Sequence, residues 1–314
     1  MVNQVIIGSR DSDLAMWQAS WVAEALQQAY PDRSFQIKGI KTKGDNILDV
    51  ALAKIGDKGL FTKELEAALL NGTIHMAVHS MKDLPTQLPE GLDIGAVCER
   101  EYPGDVLISR NNLQLADLKK GARVGTSSLR RRAQLLHYRP DLQMVDIRGN
   151  LNTRLRKFKE LELDALVLAY AGIKRLGFEE LITQLIPFDI CLPAVGQGSL
   201  GVELTSTDTA TRAMLAHLDH RPSRTAIAAE RAFMQRLEGG CQVPIGAYSQ
   251  VEGELLTLTG TVFDLHGQTM LRHSITGSAV NAKQLGIRLA EVLIDHGAEK
   301  ILHQARQEFG RYDK

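Results

Sequence analysis

A chain of 314 residues with 37 Lys+Arg against 37 Asp+Glu, 44% hydrophobic and 24% charged, has the composition of a soluble globular protein and excludes disordered, collagen-like and coiled-coil classes. At roughly 100–200 residues per domain it is expected to fold as two or three domains, long enough to bury cores without disulfides. The neutral total hides an asymmetry: from Lys119 to Lys159, twelve Lys and Arg face only Asp141 and Asp146, a local excess of ten positive charges. Charge gathered in this way marks a local anion site rather than a generally adhesive surface. Cys98, Cys191 and Cys241 are odd in number and widely spaced, which is no disulfide framework and points to a reducing compartment. The amino terminus lacks the basic segment and long apolar stretch of a signal peptide, and the longest apolar run, Ala165 to Ile173, is under half a membrane span. A soluble, cytoplasmic protein with no membrane contact is expected.

Strand-like and helix-like segments alternate through the first two thirds, the pattern of α/β folds with largely parallel sheets. Val5 to Gly8 reads as a buried strand, followed by a turn at Arg10-Asp11-Ser12 and a helix with Ser12 as N-cap. Leu14, Trp17, Trp21 and Ala25, with Val22, Leu26 and Ala29, keep helical spacing until Pro31 stops it. Phe35 to Thr42 is a second strand. Lys41 to Gly59 is rich in Gly, Lys and Asp and has no apolar period, and a loop of that length is expected to be a mobile, functional lid. Thr62 to Leu70 reads as a short amphipathic helix, with Met76 to His79 and Leu92 to Cys98 as strands.

A break at Glu99 to Gly104 is read as a hinge, after which the alternation restarts. Strands are expected at Asp105–Ser109, Arg123–Thr126, Gln143–Ile147 and Ala165–Ala169, with helices at Ser128–Tyr138, Leu151–Leu161 and Ala171–Leu176, the last capped by Gly177. A second break, Pro193 to Gly198, precedes a strand at Leu200–Leu204. Two such breaks around an inserted α/β unit predict two lobes joined by two crossing segments. From about Leu218 a helix at Pro222–Leu237 leads to strands at Gly246–Val251, Leu255–Val262 and Thr269–Ile275, turned at Glu252-Gly253 and His266-Gly267. Helices near Ala282–Asp295 and Ala298–Phe309 complete a small α+β domain. The expected division is therefore residues 1–98 with 199–217, residues 105–193, hinges at 99–104 and 194–198, and a last domain over 218–314.

Several constellations carry chemistry. Thr126-Ser127-Ser128-Leu129-Arg130-Arg131-Arg132 leaves a strand and opens a helix, whose free N–H groups, hydroxyls and guanidiniums together suit carboxylates or phosphates. Three arginines at a helix start oppose the dipole, so an anion-binding role outweighs a solvated basic face. Arg148-Gly149-Asn150 lies at another strand-to-helix turn, with Arg154 just beyond, and α/β folds place ligands at such strand ends. His79-Ser80-Met81-Lys82-Asp83 leaves a third strand, where an aspartate can handle protons or stabilise a cation. Gly196-Gln197-Gly198-Ser199-Leu200-Gly201 satisfies G-x-G-x-x-G but is preceded by proline and followed by a strand, so it is a hinge rather than a dinucleotide site. His75, His79, His217 and His220 lack metal-ligand spacing, and no metal is expected. The basic window has only Tyr138 and Phe158 as aromatics and offers no stacking platform, which argues against nucleic acid. Cys98 and Cys191 read as inert buried thiols, whereas Cys241, beside Gly239-Gly240, is either a reactive nucleophile or another buried thiol.

These motifs, in this order, resemble the hydroxymethylbilane synthase (porphobilinogen deaminase) family. The matching stretches are Ser9-Arg10 with Ser12 and Leu14-Ala15, Lys54-Ile55-Gly56 through Gly59-Leu60-Phe61, Ala77 to Asp83, Gly125 to Arg131, Arg148-Gly149-Asn150 with Thr153-Arg154, Leu192 to Gly198, and Glu238-Gly239-Gly240-Cys241. The resemblance implies two lobes of the type II periplasmic-binding-protein kind and a third domain carrying a cofactor cysteine. It implies an enzyme that condenses four porphobilinogen units onto a dipyrromethane cofactor held by a thioether, releasing ammonia at each addition and using water at the end. Cys241 matches the attachment residue and Asp83 the catalytic aspartate. Arg10, Ser12, Phe61, Ser80, Lys82, Thr126, Ser127, Ser128, Arg130, Arg131, Arg148, Gly149, Arg154, Ala169, Arg175 and Gln197 match cofactor or substrate contacts, and Lys54 and Lys58 come from the expected lid.

Loss of ammonia leaves an electron-poor azafulvene cation that a carboxylate can stabilise, and each pyrrole brings an acetate and a propionate, which planar guanidiniums suit. Asp13 stands where the family commonly has Pro, and Asp57 adds an acid within the lid. A monomer is implied. A non-catalytic two-lobed solute-binding protein is the alternative, favoured only if Cys241 and Asp83 were incidental.

Overall fold

The computed structural model describes residues 4–46, 59–238 and 243–311. In chain order the elements are β1 (Gln4–Arg10), α1 (Asp13–Ala29), β2 (Ser34–Ile40), α2 (Lys43–Asn46), α3 (Lys63–Leu70), β3 (Met76–Ser80) and β4 (Leu92–Val97). Next come β5 (Asp105–Ser109), β6 (Arg123–Gly125), α4 (Leu129–Tyr138), β7 (Gln143–Val145), α5 (Leu151–Glu160), β8 (Ala165–Ala169), α6 (Tyr170–Arg175) and β9 (Gln184–Leu185). The chain continues through β10 (Leu200–Thr205), α7 (Thr209–Leu215), α8 (Arg221–Arg236), β11 (Ile245–Glu252), β12 (Leu255–Phe263), β13 (Met270–Ser278), α9 (Ala282–Asp295) and α10 (Ala298–Arg311). Among the described residues, 4–46, 59–101 and 198–224 form one compact unit, and 102–197 with 225–311 form a second.

The first unit is built on a sheet of order β2-β1-β3-β10-β4, parallel except for β10, which runs antiparallel to both neighbours. The second unit repeats that plan as β7-β6-β8-β5-β9, with β5 the reversed strand. Each sheet thus takes its reversed strand from a segment outside its own run of parallel strands, and the same plan serves both lobes. Both faces of β5 and β8 are covered: Leu107 and Val167 join one core, Val106, Leu166 and Leu168 another. That explains why Val106–Ile108 and Ala165–Ala169 read as continuous apolar runs rather than alternating ones.

The first helix keeps Val22 and Leu26 of its apolar set inside but not the two tryptophans. Ala15, Gln18, Ala19, Val22, Ala23 and Leu26 of α1 are buried, whereas Trp17 and Trp21 are 38% and 39% exposed. The alanine line lets the helix approach the sheet closely, and the tryptophan line falls on its outer shoulder. Ser12 holds the N-cap position with extended backbone but makes no side-chain capping bond. Thr62 precedes α3 as its N-cap, and Gly177 takes φ +71° after α6. Three short elements lay outside the expected set: α2, β9, and α7, whose Asp208 accepts from Thr211 N–H at 2.9 Å.

The last sheet is the antiparallel meander β11-β12-β13, with α8, α9 and α10 over one face. Alternation along β12 sends Leu256 and Leu258 inward to Phe233 and Leu289, while Thr257 and Thr259 pair with Thr276 and Ser274 on the open face. This confirms the mixed α/β fold with a small α+β domain at the end. Among the described residues no helix is long and apolar enough to cross a membrane. Phe233 is fully buried, and its ring occupies space that a Cβ on Gly260 would enter. Phe233→Ala is therefore expected to destabilise the terminal domain by about 3–5 kcal/mol; a urea melt indistinguishable from wild type would contradict this packing.

Candidate functional site

Parallel pairing of β1 with β3 brings their carboxyl ends side by side in the first unit. A pocket at that edge is lined by Arg10, Ser12, Leu14, Ala15, Gln18, Phe61, Val78, His79, Ser80 and Asp83. Five residues expected from the sequence, Arg10, Ser12, Phe61, Ser80 and Asp83, thus share one cavity. The Arg10 guanidinium carbon lies 4.3 Å from the Phe61 ring centroid, a cation–π contact that fixes its plane. Ser80 Oγ accepts from Gln18 Nε2 at 2.9 Å, which leaves its own O–H to donate. Asp83 closes a one-turn 3₁₀ helix, Met81–Asp83, with Lys82 between; Met81 N–H donates to Ser199 O at 3.0 Å and anchors the turn to the segment before β10. Gln18 was not anticipated, although a glutamine on the buried face of an otherwise apolar helix is a signal for a buried polar contact. His79 places Nε2 at 3.1 Å from Glu203 Oε2.

In the second unit the parallel strands β6, β7 and β8 end at one sheet edge, and the expected donors follow them. Thr126 N–H donates to Val145 O at 2.9 Å, and Ser127 Oγ both donates to Ile147 O and accepts from Ile147 N–H at 2.9 Å. Ser128 caps α4 by accepting from Arg131 N–H at 3.4 Å. Gly149, at φ +109°, makes the turn after Arg148, and its carbonyl accepts from Arg154 Nε at 2.8 Å. Arg148 is half-buried, and burial lowers its guanidinium from the ordinary value while Asp146 acts to raise it. Ala169 ends β8 and is the N-cap of α6, which Arg175 closes.

Arg130 and Arg131 are placed on an internal counter-charge. Arg130 NH1 lies 2.7 Å from Asp105 Oδ2, and Arg131 NH2 lies 2.7 Å from Asp105 Oδ1. Gln197 Nε2 donates to the same Oδ1 at 2.9 Å and to Pro103 O at 2.6 Å. Arg130 also donates to Leu192 O at 2.6 Å, and Arg131 to Val167 O at 3.1 Å, while Arg131 Nε is buried with no partner. Burial alone would raise the Asp105 carboxyl, but the two guanidiniums and their hydrogen bonds override it and hold it well below the usual carboxylate range. The buried Cys191 thiol, 3.4 Å from Asp105 Oδ2, is pushed up to about 12 by burial first and that carboxylate second. In the sequence Asp105 is an acid opening a buried apolar run, a local signal that says nothing of which cations it meets. Lys54, Lys58, Asp57, Cys241 and most of the expected lid lie outside the described residues.

The dipyrromethane-binding domain model of porphobilinogen deaminase ("dipyromethane cofactor binding domain") matches residues 5–213, and the C-terminal domain model of the same enzyme matches 224–295. The chain belongs to the porphobilinogen deaminase family. Porphobilinogen deaminases from Carboxydothermus hydrogenoformans and Pelotomaculum thermopropionicum are 59% and 60% identical over 308 residues, covering 98% of this chain and 99% of each relative. That of Geobacter sulfurreducens is 50% identical over 98% of this chain and 96% of its own length. Among solved structures, the periplasmic VFT2 domain of Bordetella pertussis BvgS aligns with a TM-score of 0.44 at 16% identity, covering 69% of this chain and 87% of that one.

Family membership brings a dipyrromethane cofactor, and the second unit suits it. Burial that holds Arg148 below its ordinary value suits a carboxylate neighbour, and the Thr126 and Ser128 side-chain oxygens, which accept from Ser128 and Arg131 N–H, keep their own O–H groups to donate. Because the folded Asp105 value lies below the unfolded one, this ion cluster contributes stability above about pH 4 and loses it as the pH falls further. Asp105→Asn leaves two buried guanidiniums uncompensated and is expected to cost about 3–5 kcal/mol near neutral pH. Urea titrations across pH measure this, and unchanged neutral stability in the variant would contradict the pairing.

Proposed function

We propose that the chain is a hydroxymethylbilane synthase working in the cytoplasm as a monomer on porphobilinogen. The proposed division follows the chain order above: a lobe over 1–98 and 199–217 with Asp83, a lobe over 105–193 with the arginine-rich turns, and a domain over 218–314 with Cys241. The dipyrromethane, attached through Cys241 Sγ, supplies the pyrrole on which the chain is built. The observation that carries the reading is the pocket at the β1 and β3 ends, where one carboxylate, Asp83, sits among Arg10, Ser12 and Ser80.

When the aminomethyl nitrogen of porphobilinogen departs as ammonia with the C–N bonding pair, a delocalised cation remains. Asp83 supplies the fixed negative charge that this cation requires, without solvent reorganisation at the moment of reaction. Arg10, with its plane fixed over Phe61, and the Ser80 hydroxyl, oriented by Gln18, hold the acetate and propionate groups so that the cation forms beside Asp83. Lys82 adds positive charge at the same strand end, and Lys54 and Lys58 are assigned to substrate binding from their match to the family's motif. Thr126, Ser128, Arg148, Arg154 and Arg175 take carboxylates at the other lobe's sheet edge, and Ser127, whose hydroxyl is committed to Ile147 O, does so through its backbone N–H. Arg130, Arg131 and Gln197 act mainly by holding that edge to Asp105.

Asp83→Asn tests the central role. The amide keeps the shape of the turn but not its charge, so the variant is expected to retain the wild-type melting curve and lose ammonia release by about 100-fold or more. Near-normal release from Asp83→Asn would exclude this role.

A further inference from the structure

Three titratable side chains lie together on the face of the first sheet that α3 covers, and the reaction chemistry above uses none of them. Glu203 on β10 and Ala77 on β3 are register partners, so Glu203, Ala77 and His79 share one face. The His79 and Glu203 side chains are 3% and 0% exposed and meet through Nε2 and Oε2 at 3.1 Å. From above, α3 adds Glu66, itself buried and hydrogen-bonded to Thr62. Both carboxyls keep one buried oxygen without a partner: Glu66 Oε1 and Glu203 Oε1. Their surroundings are otherwise apolar, with Leu65, Ala68, Leu69, Ile74, Ala77 and Leu92. Two buried carboxylates beside one imidazole cannot both be compensated, and a buried carboxylate without compensation costs several kcal/mol. Among the described residues no group of three or more His, Cys, Asp or Glu could hold a metal ion, so a proton is the cation of the right size.

We propose that Glu66 keeps its proton in the folded protein and donates it to Oε1 of Glu203, making one hydrogen-bonded chain from α3 through β10 to His79 that positions the pocket. Glu66, Glu203 and the proton between them are positioning groups, not catalytic ones. The chain ties two walls of the pocket together: Phe61 and Thr62 lead into α3, while His79 and Ser80 end β3 ahead of Asp83. The charges around Glu66 agree with this assignment. Burial raises its carboxyl first, the Thr62 hydrogen bond lowers it, Glu203 raises it, and His79 and Lys63 lower it, for a net rise. The other strands under α3 meet it through apolar side chains, Ile6 from β1 and Leu92 from β4. Since the folded value lies above the unfolded one, the stabilisation is complete below the unfolded value and is lost as the pH rises through the folded one. Loss of the proton then sets two like charges against each other between α3 and the sheet.

Difference infrared spectroscopy of the holoenzyme near neutral pH reads the proton directly. Wild type minus Glu66→Gln should show the C=O band of a protonated carboxyl, and that band should disappear with an alkaline titration. In Glu203→Gln the same band should titrate at lower pH, because the neighbouring negative charge is gone; this arm stands even if Glu66→Gln folds poorly. The link to turnover rests on the deaminase reading and has its own measurement, the pH profile of ammonia release. Glu66→Gln, whose amide still donates to Glu203, should keep neutral kcat and KM and lose the alkaline limb, whereas Glu66→Ala should lose kcat throughout. Absence of the band in wild type, or its persistence in Glu66→Gln, overturns the proton assignment, and equal losses in the Gln and Ala variants overturn the positioning role. A band in a wild-type protein that releases no ammonia supports the proton assignment and overturns the deaminase reading instead.

Discussion

One fully buried carboxylate, Asp105, organises the second unit. Its two oxygens hold the first turn of α4 through Arg130 and Arg131 and the segment ahead of β10 through Gln197. Asp105 is also the first residue of β5, the reversed strand of its sheet, and is paired in register with Ala169 at the end of β8. Helix, reversed strand and connecting segment are thereby fixed at the sheet edge where Thr126, Ser127, Ser128, Arg148 and Arg154 are presented. In a low-dielectric interior such a cluster is stable only when complete, since any missing member leaves a charge that neither water nor another partner compensates.

The distribution of charge follows from this. The ten-charge excess between Lys119 and Lys159 is not spread over an open basic face. Part of it is neutralised by acids outside that window, Arg130 and Arg131 on Asp105, Lys119 on Asp164 and Arg156 on Glu160, and much of the rest lies on strand-end turns and along α5. In the first unit Asp83 lies in a pocket with Arg10 and the hydroxyls of Ser12 and Ser80. One sheet plan, used twice, thus carries hydroxyl and guanidinium groups at one unit's sheet edge and a carboxylate in a pocket at the other's, the division that the proposed mechanism uses.

Much of this was legible in the sequence because it is local. Alternating strand and helix periods located nearly every long element, and arginines directly after short apolar strands marked both turns of the second unit. The spacing of Pro193 to Gly201 was enough to reject a dinucleotide loop, since β10 rather than a helix follows. What escaped was long-range. Asp105 and Arg130 are 25 positions apart and Asp105 and Gln197 are 92 apart, so their pairing depends on the crossing of β5 into its sheet rather than on any local pattern. Gln18 and Glu203 were likewise hidden, each a polar residue within an apolar period whose partner, Ser80 or His79, lies on another strand. On α1, hydrophobicity alone favoured Trp17 and Trp21 as the buried line, whereas close packing on the sheet favours the alanines.

Intact mass measures covalently primed polypyrrole synthesis most directly. The purified protein should carry an adduct of dipyrromethane size that is absent from Cys241→Ala, and brief exposure to porphobilinogen should add a ladder of whole pyrrole units to the wild-type mass. A folded wild-type protein that remains at its polypeptide mass before and after porphobilinogen would contradict it.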